Sequence, residues 1–386
     1  NSELYHFGTS GVTLGGGVES SITPAGNYVT NCGIHDFSTR KEVYGAAVYL
    51  DGVGNIVNHN DFYNSQHHVI SFHGIDNVIE YNDFHEVCRN AADMGAIYTG
   101  RDITDQEMTI RYNHFYNVGS SIVSQFYPCC IFTDDGSSNM DVYNNVLGPG
   151  VENVEVFKVH GGIDNNFYNN LLIDAPQVIY QASWSKTAWY GYLNGDTEPS
   201  FKAGYDRIKD NQLYLDRWPY LADIKKATSA DDIVYLDEYP NTITGNVYMY
   251  IDAAPGNTYK YSGSYDYIPH GNNLTLKNEP ELYKTYFEDW DGGNYALTDE
   301  GYQRIRKAIP GFSNIPYESI GRLTDENHPP VAANVKIVRG GADTLIGSYT
   351  YTDSECDPEG ASIIRWLAAD NDQYSEYTEI SGAVTT

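Results

Sequence analysis

The chain has 386 residues, with 52 Asp and Glu against 23 Lys and Arg and a formal net charge of -29. So acidic a surface repels phosphate backbones and anionic headgroups, which argues against nucleic acid and anionic membranes as partners. It also disfavours a strongly anionic polysaccharide unless Ca²⁺ bridges the two, and the sequence has no apolar run of the roughly 18 residues that would span a bilayer.

Residues 1–180 read as continuous short coils. One phrase recurs: a β-branched, aromatic or polar pair, then Asn, a variable residue and usually an apolar one. Its copies run through Asn31, Asn60, Asn82, Asn113, Asn145, Asn170 and, after a gap, Asn246. A period of roughly 20–35 residues built on short strands predicts stacked coils, not one closed globule. Asn suits a recurring corner because it tolerates left-handed backbone angles and its amide bonds nearby backbone. Asn60, Asn82, Asn113, Asn145 and Asn170 are therefore expected to stack in one column. Turn signals such as Asp51-Gly52, Asp76-Asn77, Asp135-Gly136 and Asp164-Asn165 punctuate short strand-like runs at Ala46–Leu50, Val69–Phe72, Ala96–Thr99 and Cys130–Thr133. The fold class is all-β, a right-handed parallel β-helix, the hand following the preference of parallel crossovers. The chain opens directly in coil-like sequence, so further coils are expected before residue 1.

Residues 181–235 break the rhythm with aromatics (SWSKTAWYGYLNG) and a helical pattern through Ile208, Leu213, Leu215 and Leu221 that Pro219 interrupts. This predicts a loop-and-helix insertion lying over the solenoid. The coil phrase then returns at Asn241–Tyr250, and a cap ends in IPGFSNIPYESIG. At His328-Pro329-Pro330 the composition shifts to period-two alternation. The domains are thus 1–326, the solenoid, and 327–386, a small β-sandwich. Five Cys at irregular spacing (Cys32, Cys88, Cys129, Cys130, Cys356) do not form a disulfide framework, and no metal-ligand spacing appears. No cofactor is expected; a structural Ca²⁺ is compatible with the acidity.

Chemistry concentrates in Asp93–Asp135. The segment DMGAIYTGRD (Asp93–Asp102) and, one coil later, TDDGSS (Thr133–Ser138) display acids from neighbouring coils. Parallel strands ~4.8 Å apart bring such acids within the roughly 5–10 Å required of the two carboxyls in glycoside hydrolysis. One must protonate the leaving oxygen, and the other acts as nucleophile or activates water. Asp93 and Asp134, with Asp135 in reserve, are the catalytic candidates; crowding should raise the pKa of one while Arg101 keeps the other ionised. Tyr98, Arg101, Asp102, His68, His73 and His160 are candidate sugar contacts. Trp184 and Trp189 would wall a subsite or simply pack the insertion onto the solenoid. The 35 Tyr supply flat faces with hydroxyls, which also suits sugars, although most would decorate strands.

The coils DNVIEYNDFH, DMGAIYTGRD, IRYNHFYNV, IFTDDGSS and VHGGIDNNFYNN resemble the parallel β-helix enzymes of glycoside hydrolase family 141, which include α-L-fucosidases and xylanases. The resemblance spans roughly residues 30–320. It implies a hydrolase acting on a xylan- or fucose-containing glycan through Asp93 and Asp134 or Asp135. The C-terminal segment resembles immunoglobulin-like repeats of Gram-positive surface proteins. That implies a bacterial enzyme that is extracellular, secreted or attached to the cell surface through flanking domains. Two alternatives remain: a polysaccharide lyase, which needs a basic residue to neutralise a uronate, and a non-catalytic surface adhesin whose acids are turns.

Overall fold

The computed structural model describes residues 1–119, 127–151, 154–175, 177–233, 238–250, 259–263, 269–277 and 280–323, together with the backbone of four strands beyond them. The chain divides into two units, Asn1–Arg322 and Leu323–Thr386.

In the first unit the chain winds through three parallel sheets in turn, of eight, eight and nine strands. Sheet 1 runs from Val12–Gly16 through Val48–Val53, Ile70–Ile75, Gly95–Thr99, Cys129–Thr133, Glu155–His160 and Ile179–Ser183 to Tyr259–Gly263. Sheet 2 contains Ile56–Asn58, Val78–Glu80, Met108–Arg111 and Met140–Tyr143; sheet 3 contains Asp61–Tyr63, Asp83–His85 and His114–Tyr116. Successive strands therefore occupy sheets 1, 2 and 3 and then repeat, which is a parallel β-solenoid. In-register pairing stacks like on like: Ile70, Ile97, Ile131, Phe157 and Ile179 form one inward ladder. Phe62, Phe84 and Phe115 form another, with centroids 5.2 and 4.5 Å apart. Each such fully buried side chain contributes ~1.5–3 kcal/mol.

The asparagine column is present. Asn60, Asn82, Asn113, Asn145 and Asn170 are fully buried, and each presents its side-chain oxygen to the backbone N–H of the one before it at 2.9–3.0 Å. The series continues through Asn246 to Asn273, which sequence reading had missed. Asn31 is out of register. The Cys32 N–H bonds Asn60 Oδ1, so Cys32 holds the ladder position while Asn31 precedes it. The left-handed backbone also belongs to that preceding residue: Asn31, His59, Tyr81, Tyr112, Asn144 and Asn169 all have φ of 52–56°. The buried Asn is thus selected for its amide, not for its backbone tolerance.

The insertion is helical: Lys186–Asn194, Pro199–Ile208, Gln212–Arg217 and Pro219–Lys226, with Pro219 starting the last helix as its missing N–H allows. Ile208 and Leu221 are buried with Trp189, Phe201 and Tyr220, whereas Leu213 is exposed. Cys88, Cys129 and Cys130 are free buried thiols and Cys32 is half-buried; Cys356 lies outside the described residues. No helix among the described residues is long and apolar enough to cross a membrane. In the second unit Val331–Arg339 pairs antiparallel with Leu345–Thr352, and Leu367–Ala369 with Tyr377–Glu379. The packing that would make a sandwich of them lies outside the described residues.

Candidate active site

Alternate residues of sheet 1 face outward. The register Thr99 to Thr133 to Val159 places Gly100, Asp134 and His160 in one outward row, the first two just beyond their strands and His160 at the end of its own, and Ser71 opposite Tyr98 puts His73 in the same row. Asp134 continues the ladder through its N–H to Thr99 O at 2.8 Å, and the chain then turns tightly at Asp135, φ +39°. That turn folds the Asp135 carboxylate back beside Asp134.

The result is a compact cluster. His160 Nδ1 lies 2.9 Å from Asp134 Oδ1 and 3.0 Å from Asp135 Oδ1. The Tyr98 hydroxyl donates to Asp134 Oδ2 at 3.0 Å, and Arg101 Nε pairs with Asp135 Oδ2 at 2.8 Å. The Tyr192 hydroxyl approaches Asp135 Oδ1 at 3.5 Å, and the Asp135 N–H donates to Asp134 Oδ1 at 2.9 Å. Trp184 Nε1 donates to His160 Nε2 at 3.2 Å and stacks on Tyr192 at 3.7 Å. Gly161 admits the indole, because a Cβ there would collide with Trp184. The two carboxylates are 13% and 9% exposed, whereas Arg101, paired with Asp135, is 51% exposed.

The proton inventory follows from donor chemistry. Indole N–H only donates, so His160 Nε2 accepts and the imidazole proton sits on Nδ1, shared between the two carboxylates. Burial lowers the His160 pKa, but its bonds to Asp134 and Asp135 outweigh burial and push it up to about 9. The Trp184 N–H at Nε2 opposes that second proton. Burial raises the Asp135 pKa, but His160 and Arg101 more than reverse it, leaving Asp135 below the usual carboxylate range. Both oxygens of Asp134 accept hydrogen bonds.

The other sequence candidates are distributed differently. Asp93 is not brought to Asp134. It precedes one end of Gly95–Thr99 while Asp134 stands beyond the other, with ~13 Å of strand between them. The Asp93 carboxylate instead meets buried Lys158 at 2.7 Å. His68 is 2% exposed, donates Nδ1–H to Gly95 O at 2.9 Å and stacks under Tyr98 at 4.3 Å; burial lowers its pKa to about 3, so it is a neutral support for the Tyr98 ring. Asp102 caps Thr104 and meets Arg207 of the insertion at 3.4 Å. Trp189 is fully buried among the insertion helices, so only Trp184 reaches the cluster. His73 faces outward, 47% exposed, with Nδ1 3.0 Å from Asp105.

Three contributors escaped sequence reading. Tyr192 lies three residues after Trp189 on the insertion helix, a spacing that placed both on one side of it. Thr99 and Asp105 bond each other at 2.7 Å, but Asp105 sits in a polar loop with no periodicity to mark it. Two groups, His73–Asp102–Asp105 and Asp134–Asp135–His160, bring their polar atoms within 4.8 Å of one another. In both, the carboxylate oxygens also accept protein hydrogen bonds. Comparison of the chain with protein-family models, with curated proteins and with solved structures finds no match in any of the three.

Proposed function

We propose that this chain is a glycoside hydrolase whose reacting carboxylates are Asp134 and Asp135. The observation that carries the reading is the Asp134–His160–Asp135 cluster, ion-paired to Arg101 and walled by Trp184 and Tyr192 on the outward row of sheet 1. Asp135, kept ionised by Arg101 and His160, is the base or nucleophile at the anomeric carbon. Asp134 fixes the imidazole and supplies negative charge opposite a developing oxocarbenium ion. Tyr98 and Tyr192 offer hydroxyls to sugar hydroxyls. The resemblance to glycoside hydrolase family 141, with the right-handed winding that parallel crossovers prefer, supports a xylan- or fucose-containing substrate and a secreted or surface-attached bacterial enzyme. A lyase is less well served: Arg101 and Lys158 are already ion-paired with Asp135 and Asp93. No step requires a cofactor.

The test is a glycan panel of xylans and fucosylated oligosaccharides. Release of reducing ends without ultraviolet-absorbing unsaturated uronate, abolished by Asp135→Asn, is the expected outcome. Unsaturated product would assign a lyase, and no product of either kind would leave the adhesin reading standing and overturn this one.

A further inference from the structure

The carboxylate cluster lacks one participant. Glycosidic cleavage needs a proton delivered to the leaving oxygen, yet His160 Nδ1 lies between Asp134 and Asp135 and its Nε2 meets the Trp184 N–H, so neither ring nitrogen is left for the leaving oxygen. The same outward row contains a second imidazole. His73 stands level with Gly100, the position next to Asp134, so its Cα lies two coil rises, roughly 10 Å, from that of Asp134. Gly100, between them, lets its neighbours close in: a Cβ there would come within 3.0 Å of Asp134 Cβ and 3.2 Å of Tyr98 Oη.

His73 is built as an oriented imidazole. Its Nδ1 lies 3.0 Å from Asp105 Oδ2, and Asp105 is fully buried. Thr99 Oγ1 donates to the same oxygen at 2.7 Å, and the Gly74 N–H donates to Asp105 Oδ1 at 2.7 Å. With its oxygens fixed by neutral donors, Asp105 remains to accept from the imidazole, which sets Nδ1–H toward Asp105 and turns Nε2 to the exposed side. The acid groups facing His73 are Asp105 and Asp102 from the following loop and Asp51 from the preceding coil, while Arg207 on the insertion helix meets Asp102. The Asp105 charge outweighs burial and pushes the His73 pKa up to about 9, so Nε2 carries a proton at neutral pH.

We infer that His73, positioned by Asp105, is the general acid that protonates the glycosidic oxygen, two coils along the same outward row from Asp134 and its neighbour Asp135. The inference rests on the hydrolase reading above. In the step, the Nε2–H proton passes to the glycosidic oxygen as the C1–O bond breaks, and the bonding pair stays on that oxygen. Asp135 removes a proton from the water that adds to C1, and the two groups re-equilibrate through solvent. The two coil rises between the His73 and Asp134 Cα positions leave room for a water, as inverting hydrolysis requires.

The experiment compares two probes on the full-length chain: a xylan or fucosylated oligosaccharide, whose leaving group is a poor sugar alkoxide, and the corresponding 4-nitrophenyl glycoside, whose phenolate departs unprotonated. His73→Gln is expected to lower kcat on the glycan by ~10²–10⁴-fold with KM little changed, and to spare the nitrophenyl glycoside to within ~10-fold. Asp105→Asn, which keeps the shape but loses the charge, should show the same selectivity to a smaller degree. Equal losses on both probes with unchanged circular dichroism would make His73 a structural residue and overturn the inference, as would full glycan turnover by His73→Gln. Asp135→Asn separates this failure from that of the hydrolase reading. It should lose both probes whatever His73 does; if it keeps both, or if the wild-type chain turns over neither probe, the carboxylate site falls and His73 falls with it.

Discussion

The asparagine column makes the sharpest statement about what holds the solenoid together, and Asn113→Ala removes its middle member. Asn113 is fully buried. Its Oδ1 accepts from the Asn82 N–H and Nδ2, both at 3.0 Å, and its Nδ2 donates to Asn145 Oδ1 at 3.0 Å and to Ile79 O and Arg111 O at 2.9 Å. Asn82 Nδ2 keeps its bonds to Val57 O and Glu80 O, but the Asn82 backbone N–H loses its acceptor inside the core. One bare buried N–H costs ~1–3 kcal/mol and each remaining lost bond ~0.5–1.5 kcal/mol, with overlap among bonds that share an atom, so a loss of ~3–5 kcal/mol is expected. The assay is urea unfolding followed by far-ultraviolet circular dichroism, with the exposed Asn194→Ala as reference at ~0.5 kcal/mol or less. A midpoint shift for Asn113→Ala no larger than that of Asn194→Ala would refute the idea that coil-to-coil amides carry the stack. A shift that also halves the unfolding slope would mean the coils unfold in separate blocks.

Other expectations follow from the same geometry. Gly100→Ala should cut turnover while leaving thermal stability nearly unchanged, since its Cβ would press on Asp134 and Tyr98 at the strand end and not in the core; wild-type kcat would mean that their close approach over Gly100 does not matter to turnover. The bond and charge of Asp61, 3.0 Å from His85, overcome burial and raise the His85 pKa. The stability this confers is fully present below the ordinary imidazole value of ~6.5 and is lost as pH rises through the raised folded value; His85→Gln should flatten that limb of a melting-temperature profile, and an unaltered profile would count against the pairing. A chain ending at residue 325 should retain hydrolysis at the full rate; loss of turnover with the solenoid's circular dichroism intact would assign the C-terminal unit a part in the chemistry.

The period of the coils was legible because stacking forces repetition. A residue that must bond its counterpart one coil away has to recur, so the asparagines survive insertions that stretch the interval from 22 to 76 residues. The one-residue slip at Asn31 was not legible: TNCGI contains an Asn, and only the pairing of Cys32 with Asn60 shows which residue meets the column. The insertion was readable from Pro219 and the change to helical spacing. At the site, adjacency between coils was read correctly for Asp134, Tyr98, Arg101 and His160, which come together across three strands. Position along a strand was not: DMGAIYTGRD places Asp93 and Arg101 at opposite ends of a five-residue strand, and the sequence does not say which end meets TDDG. Asp105 was invisible for a different reason. Its importance lies in burial under a loop, and burial of a lone acid leaves no pattern.

The most direct test of the account is the initial rate of reducing-end release by Asp135→Asn and Asp93→Asn on one glycan at one pH. The account predicts a fall of at least ~10³-fold for Asp135→Asn and a rate near wild type for Asp93→Asn, whose carboxylate engages Lys158 at the far end of the strand. The reverse ranking, with Asp93→Asn silent and Asp135→Asn active, would contradict it and move the chemistry to the other edge of sheet 1.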